Sequence, residues 1–70
     1  MTLSEVLDKL YDSELNFSIS CFWDGGFDVK LGDPMNGYVA EGNVKTADQA
    51  AAWLDKQARI HFPASKYANR

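Results

Sequence analysis

The side chains able to do chemistry are few and isolated in this chain of 70 residues. Cys21 is the only cysteine and His61 the only histidine, so the composition supplies neither an internal disulfide nor a zinc cluster of Cys and His ligands. The serines, the histidine and the acids follow no nucleophile pattern, and the glycines form no phosphate loop or dinucleotide motif. We therefore expect no catalytic residue, no metal and no cofactor, and we predict that the protein is not an enzyme.

Carboxylates give one candidate cluster, because the predicted strand register sets Asp28 opposite Glu41. On the outer face of the sheet, one predicted row contains Phe22, Asp28 and Glu41. The next row contains Lys30 and Val39. Like charges directly opposite each other destabilise a sheet, and a metal, a basic partner or Lys30 would relieve the repulsion. Two carboxylates are too few for a metal site, so we favour a solvated pair or one offset by Lys30.

Apolar side chains near this row indicate a protein contact instead. Phe22 and Val39 are both predicted on the outer face, where two apolar residues beside polar neighbours are typical of a partner patch. Trp23 is either a core residue or an anchor of the same interface. Alternation points Cys21 inward as a buried, inert thiol, and His61 is interpreted as a helix C-terminal cap or a surface residue.

Two amphipathic helices flank the residues described above. Thr2 and Glu5 have the spacing of a capping box, and apolar residues at helical spacing follow up to Tyr11, which predicts a helix over residues 3–13. Thr46 and Gln49 repeat the capping pattern before an alanine-rich stripe, which predicts a second helix over residues 47–62. Pro63 ends that helix, and a short C-terminal tail follows.

Strict alternation between the helices predicts three strands, over residues 15–23, 27–32 and 38–44. A three-residue loop over residues 24–26 unites the apolar faces and pairs Trp23 with Phe27. In this turn only Gly26, and not Gly25, needs a positive φ. A four-residue loop over residues 33–36 then pairs Leu31 with Tyr38. The expected fold is one α+β domain over residues 1–70, an α-β-β-β-α chain with a three-stranded antiparallel meander and both helices on one face.

Composition excludes several classes of protein. Hydrophobic residues make up 46% and aromatic residues 13% of the chain, which argues against disorder. No apolar run is long enough for a membrane helix, and the first residues do not resemble a secretory signal. With a single unpaired cysteine, these features favour a cytoplasmic protein. The net charge of −3 divides into −5 over residues 1–35 and +2 over residues 36–70, which disfavours general nucleic-acid binding and suits a directional protein contact.

The element order and length resemble the double-stranded-RNA-binding domain, which would cover the whole chain. That family binds RNA through basic residues at the start of its second helix. Here the corresponding stretch holds one base, Lys45, and one acid, Asp48, so the resemblance implies the fold but not the RNA contact.

Residues 19–54 also resemble HicB-type antitoxins, which are partial ribonuclease-H-like folds that bind a small toxin. The resemblance lies in four short stretches: Asp24-Gly25-Gly26-Phe27, Gly37-Tyr38, Glu41-Gly42-Asn43 and Thr46-Ala47-Asp48-Gln49-Ala50. This chain differs by its first helix and by the lack of a DNA-binding extension. The resemblance therefore implies inhibition of a protein without operator binding.

We accordingly predict a small protein-interaction module whose partner is another protein or a second copy of the chain, with no membrane partner. The alternative is a nucleic-acid-associated protein that uses the more basic C-terminal half. The basic residues of that half are Lys45, Lys56, Arg59, Lys66 and Arg70.

Overall fold

The computed structural model describes residues 1–69 and has the predicted element order. The elements are α1 (Leu3–Asp12), β1 (Phe17–Phe22), β2 (Gly26–Asp33), β3 (Gly37–Val44) and α2 (Ala47–His61). Each begins and ends within two residues of its predicted position. The strands form an antiparallel sheet in the order β1-β2-β3, so the α+β class and the α-β-β-β-α order are confirmed.

Side-chain caps start both helices, as predicted. In α1 the Thr2 hydroxyl accepts a hydrogen bond from the Glu5 backbone N–H (3.2 Å), and the Glu5 carboxylate accepts one from the Thr2 N–H (3.1 Å). In α2 the Thr46 hydroxyl accepts from the Gln49 backbone N–H (3.1 Å), while the Gln49 side-chain oxygen accepts from the Lys45 backbone N–H (2.8 Å). These bonds satisfy backbone donors that the first turn of a helix leaves free.

The core lies between the two helices and one face of the sheet. Its buried members are Val6, Leu10, Leu31, Ala51, Leu54, Ala58 and Tyr67. Tyr67 is the largest fully buried side chain, so the segment after α2 is part of the fold. Tyr11, by contrast, was expected in the apolar stripe of α1 but is 80% exposed. The reason is that α1 packs mainly against α2, which covers only a narrow arc of its surface.

The first hairpin is shifted by two residues from its predicted register. Cys21 pairs with Phe27 and Ile19 with Val29, whereas the prediction set Cys21 opposite Val29 and Trp23 opposite Phe27. A shift of two preserves the alternation of faces, so the hydrophobic pattern alone does not distinguish the two registers. The connecting loop is therefore residues 23–25, and Trp23 lies in it.

The second hairpin contains a β-bulge that the sequence pattern does not show. Leu31 pairs with Ala40 and Gly32 with Tyr38, which leaves Val39 as an extra residue on β3. The turn is held by the Asp33 carboxylate, which accepts hydrogen bonds from two backbone N–H groups of the loop, at 3.0 and 2.8 Å. The pKa of Asp33 lies below its usual value. The main cause is the hydrogen bond from the Asn36 backbone N–H, and the hydrogen bond from the Asn36 side chain is the next.

Candidate functional site

The predicted row of Phe22, Asp28 and Glu41 does not form. Asp33 pairs with Gly37, so the turn is one residue shorter than predicted, and the bulge shifts β3 by one further residue. Glu41 therefore pairs with Lys30, and Asp28 pairs with Asn43. The Lys30 ammonium lies 3.8 Å from the Glu41 carboxylate, and the predicted like-charge contact is absent. Across residues 1–69 no group of three or more His, Cys, Asp or Glu side chains is arranged to hold a metal ion.

Asn43 is a structural residue of this face that the sequence reasoning missed. Its side-chain N–H₂ donates to the Gly25 carbonyl at 2.9 Å and to the Asp28 carboxylate at 2.8 Å. The Lys45 ammonium donates in turn to the Asn43 side-chain oxygen at 3.3 Å. A β3 side chain thus ties down the loop between β1 and β2. Only the correct register would have revealed it, because Asn43 and Gly25 are far apart in the chain.

We expect Asn43→Asp to destabilise the protein by about 1–3 kcal/mol near pH 7, because it removes the donor and sets a second carboxylate beside Asp28. Asn43→Ala is the matched control and is expected to cost no more than about 1 kcal/mol. Urea denaturation measures both. Equal stability of the two variants near pH 7 would contradict the placement of Asn43.

The bulge also exchanges the predicted faces of Tyr38 and Val39. The Tyr38 ring lies under the Lys30 ammonium, with 5.0 Å between the nitrogen and the ring centroid, so Tyr38 is on the outer face. Val39 borders a shallow pocket with Leu15 and Phe62, both of which pack against the core. Val39 is therefore on the helix side of the sheet and does not share a patch with Phe22.

Three consecutive residues at the end of the first hairpin are exposed, and we call them the hairpin-tip patch: Cys21, Phe22 and Trp23. Phe22 is 61% exposed and Trp23 is 95% exposed. The prediction of a buried Cys21 is wrong, because its thiol is exposed although it lies on the apolar face. The helices cover the sheet around Val29 and Leu31 and do not reach this end of β1.

The bases of the C-terminal half are partly engaged inside the protein. Arg59 forms an ion pair with Asp55 at 3.3 Å and lies over the Tyr67 ring, and Lys45 bonds to Asn43. Arg70, which belongs to the same predicted basic set, lies outside the described residues. Arg59 and Lys45 are therefore less available to bind phosphate groups than the sequence indicates.

Comparison with known proteins gives no relative: no family model, no curated protein and no solved structure matches the chain. Within the described part of the chain, no helix is long and apolar enough to cross a membrane.

Proposed function

We propose that this protein is a non-enzymatic protein-interaction module and that the hairpin-tip patch is its contact surface. The observation that carries the proposal is the exposure of Phe22 and Trp23, two large aromatic side chains next to each other in the chain. Burying aromatic side chains contributes strongly to binding, and residues of this type are enriched in the centres of interfaces. A single exposed apolar residue is normal, whereas here two large aromatic side chains on neighbouring residues are both exposed.

The hydrogen bonds of Asn43 support the same proposal, because they hold the loop that carries Trp23. A preorganised contact residue loses less conformational entropy on binding than a mobile one. The likeness of residues 19–54 to HicB-type antitoxins also favours a protein partner. We place the module in the cytoplasm, where the exposed thiol of Cys21 would stay reduced.

The test is a pull-down from the native cell with the immobilised protein and with the Phe22→Ala/Trp23→Ala variant. We expect a protein captured by the wild type to be lost with this variant. The control variant, Tyr11→Ala/Met35→Ala, removes two other highly exposed apolar residues elsewhere and should retain the partner. Circular dichroism of each variant is the check that it is folded.

Two results would contradict the proposal. If the double variant of the patch captured the same proteins as the wild type, the hairpin-tip patch would not be the contact surface. If the protein instead bound heparin or RNA at moderate salt, and lost that binding on Lys56→Ala/Lys66→Ala, the nucleic-acid alternative would replace it.

A further inference from the structure

The free edge of β1 is the feature that points to a particular partner. Among the strands of residues 1–69, the order β1-β2-β3 leaves β1 with one unpaired side. Natural proteins protect such edges with charges, proline or bulges, yet residues 15–23 contain none of these. The opposite edge strand, β3, carries both a bulge and the charged Glu41. The protection is therefore missing only from the edge beside the hairpin-tip patch.

The backbone hydrogen bonds of β1 show which residues face the open edge. The Asn16 carbonyl accepts from the Gly32 N–H at 2.8 Å, so Asn16 directs its backbone groups towards β2. In an antiparallel ladder these directions alternate from residue to residue. Phe17, Ile19 and Cys21 therefore direct their N–H and C=O groups away from β2, towards the open edge.

We propose that a second copy of this chain pairs with β1 in antiparallel orientation about a twofold axis at Ile19. Phe17 of each copy then lies opposite Cys21 of the other, and Ile19 lies opposite its own equivalent. In this register each residue whose backbone groups face the open edge lies opposite another such residue, and these pairs form about six new backbone hydrogen bonds. Ser18 lies opposite Ser20 on the outer face. Apolar residues meet apolar ones and hydroxyls meet hydroxyls, as a self-complementary twofold interface requires.

This inference rests on the proposed function and names the partner of its surface. The same twofold operation brings Trp23 of one copy to Leu15 of the other. Trp23 is 95% exposed in the single chain, and this contact would cover it. The two three-stranded sheets would become one sheet of six strands, with the helices of both copies on the same face.

Charge favours a second copy over a foreign strand. The pairing segment is uncharged, so two copies bring no like charges together along it, and it offers no charge pattern to select another partner. Only the flanking acids Glu14 and Asp24 approach each other, at the ends of the strand. Salt screens such exposed charges, so added salt should tighten the pairing. The interface is small, which indicates a dissociation constant on the order of micromolar or weaker.

Sedimentation equilibrium between about 5 μM and about 1 mM tests the pairing directly. We expect the wild type to change from monomer to dimer within this range. Cys21→Pro removes an outward-facing N–H without removing a bond to β2, and it should lower the association at least tenfold. Cys21→Ala keeps that N–H and should still dimerise, which separates the backbone contact from the thiol.

A second pair of variants tests the register. Ser18→Glu/Ser20→Lys would set opposite charges against each other across the axis. Within each copy it would also face Lys30 and Asp28 with opposite charges, so it should tighten the dimer at low salt. Ser18→Lys/Ser20→Lys would set like charges together and should weaken it. If both double variants associated equally, the proposed register would be wrong. If the wild type stayed monomeric up to about 1 mM, self-pairing would be overturned, whereas a partner captured through the hairpin-tip patch would still support the proposed function.

Discussion

Tyr67→Ala is expected to destabilise the protein by about 3–5 kcal/mol, the usual range for deleting a buried aromatic ring. Tyr67 is fully buried, and its hydroxyl donates to the Asp55 carboxylate at 2.7 Å. The Lys9 ammonium lies 4.4 Å from the ring centroid, so the ring joins α1 to α2. Urea denaturation measures the loss. A loss below about 1 kcal/mol would show that the C-terminal segment is not part of the core.

Tyr67→Phe is the matched control, because it keeps the ring and removes only the hydroxyl. We expect it to cost about 1–2 kcal/mol near neutral pH, through the lost hydrogen bond to Asp55. Burial, and then the hydrogen bond to Asp55, raise the pKa of Tyr67 above its usual value of 10.0. Because the folded-state pKa is the higher one, this contribution is fully present below about pH 10 and is lost as the pH rises further.

Stability measured at alkaline pH therefore distinguishes the wild type from Tyr67→Phe. Between about pH 10 and pH 12 the wild type should lose stability more steeply than Tyr67→Phe, because the unfolded tyrosine ionises and the buried one does not. Parallel stability curves for the two proteins would contradict this account.

Asp55 makes the stability depend on pH in the acid range. Burial raises its pKa, but the hydrogen bonds from Tyr67 and Arg59 lower it by more, so the pKa of Asp55 lies below its usual value. Its contribution is present above about pH 4 and is lost as the pH falls.

Gly26→Val is expected to cost about 2–4 kcal/mol, whereas Gly25→Val should cost less than about 1 kcal/mol. Gly26 has φ +81°, and a Cβ built there would lie 2.6 Å from the backbone oxygen of Val44. Gly25 does not have a positive φ, and its Cβ would meet only the Cβ of Phe22, at 3.7 Å. The expectation that only Gly26 of this pair needs a positive φ is confirmed.

Thermal or urea unfolding of the two variants side by side measures this difference, and equal small losses would contradict the turn geometry. Gly26→Val also displaces the loop that carries Trp23. Its effect on binding is therefore compared only after the fraction of folded protein has been measured. Gly25→Val leaves that loop in place and serves as the control for binding.

Local chemistry explains why so much of the fold is predictable from sequence. Capping at Thr2 and Thr46 depends on residues three positions apart, and the strand pattern depends on alternation over a few residues. These interactions lie within one element, so the sequence displays them directly. The order of elements and their bounds follow from them, as does the need for a positive φ at Gly26.

Long-range pairing explains what the sequence could not show. Registers that differ by two residues give the same alternation, so only the packed turns choose between them. The shorter turn and the bulge at Val39 together decided which charges meet, and they replaced the predicted contact of Asp28 with Glu41 by two favourable pairs. For the same reason Val39 lies on the helix side of the sheet, and not on the outer face beside Phe22 as the sequence predicts.

The sequence by itself determined the helices, the strands and the presence of aromatic residues near the first turn, since propensity, capping and periodicity act between near neighbours. Tertiary structure alone decided how far the helices extend over the sheet, and therefore that Cys21 and Trp23 are exposed while Tyr67 is buried. Alternation along a strand shows which face of the sheet a side chain lies on. It does not show whether another element packs over that side chain, and burial depends on elements that are distant in the sequence.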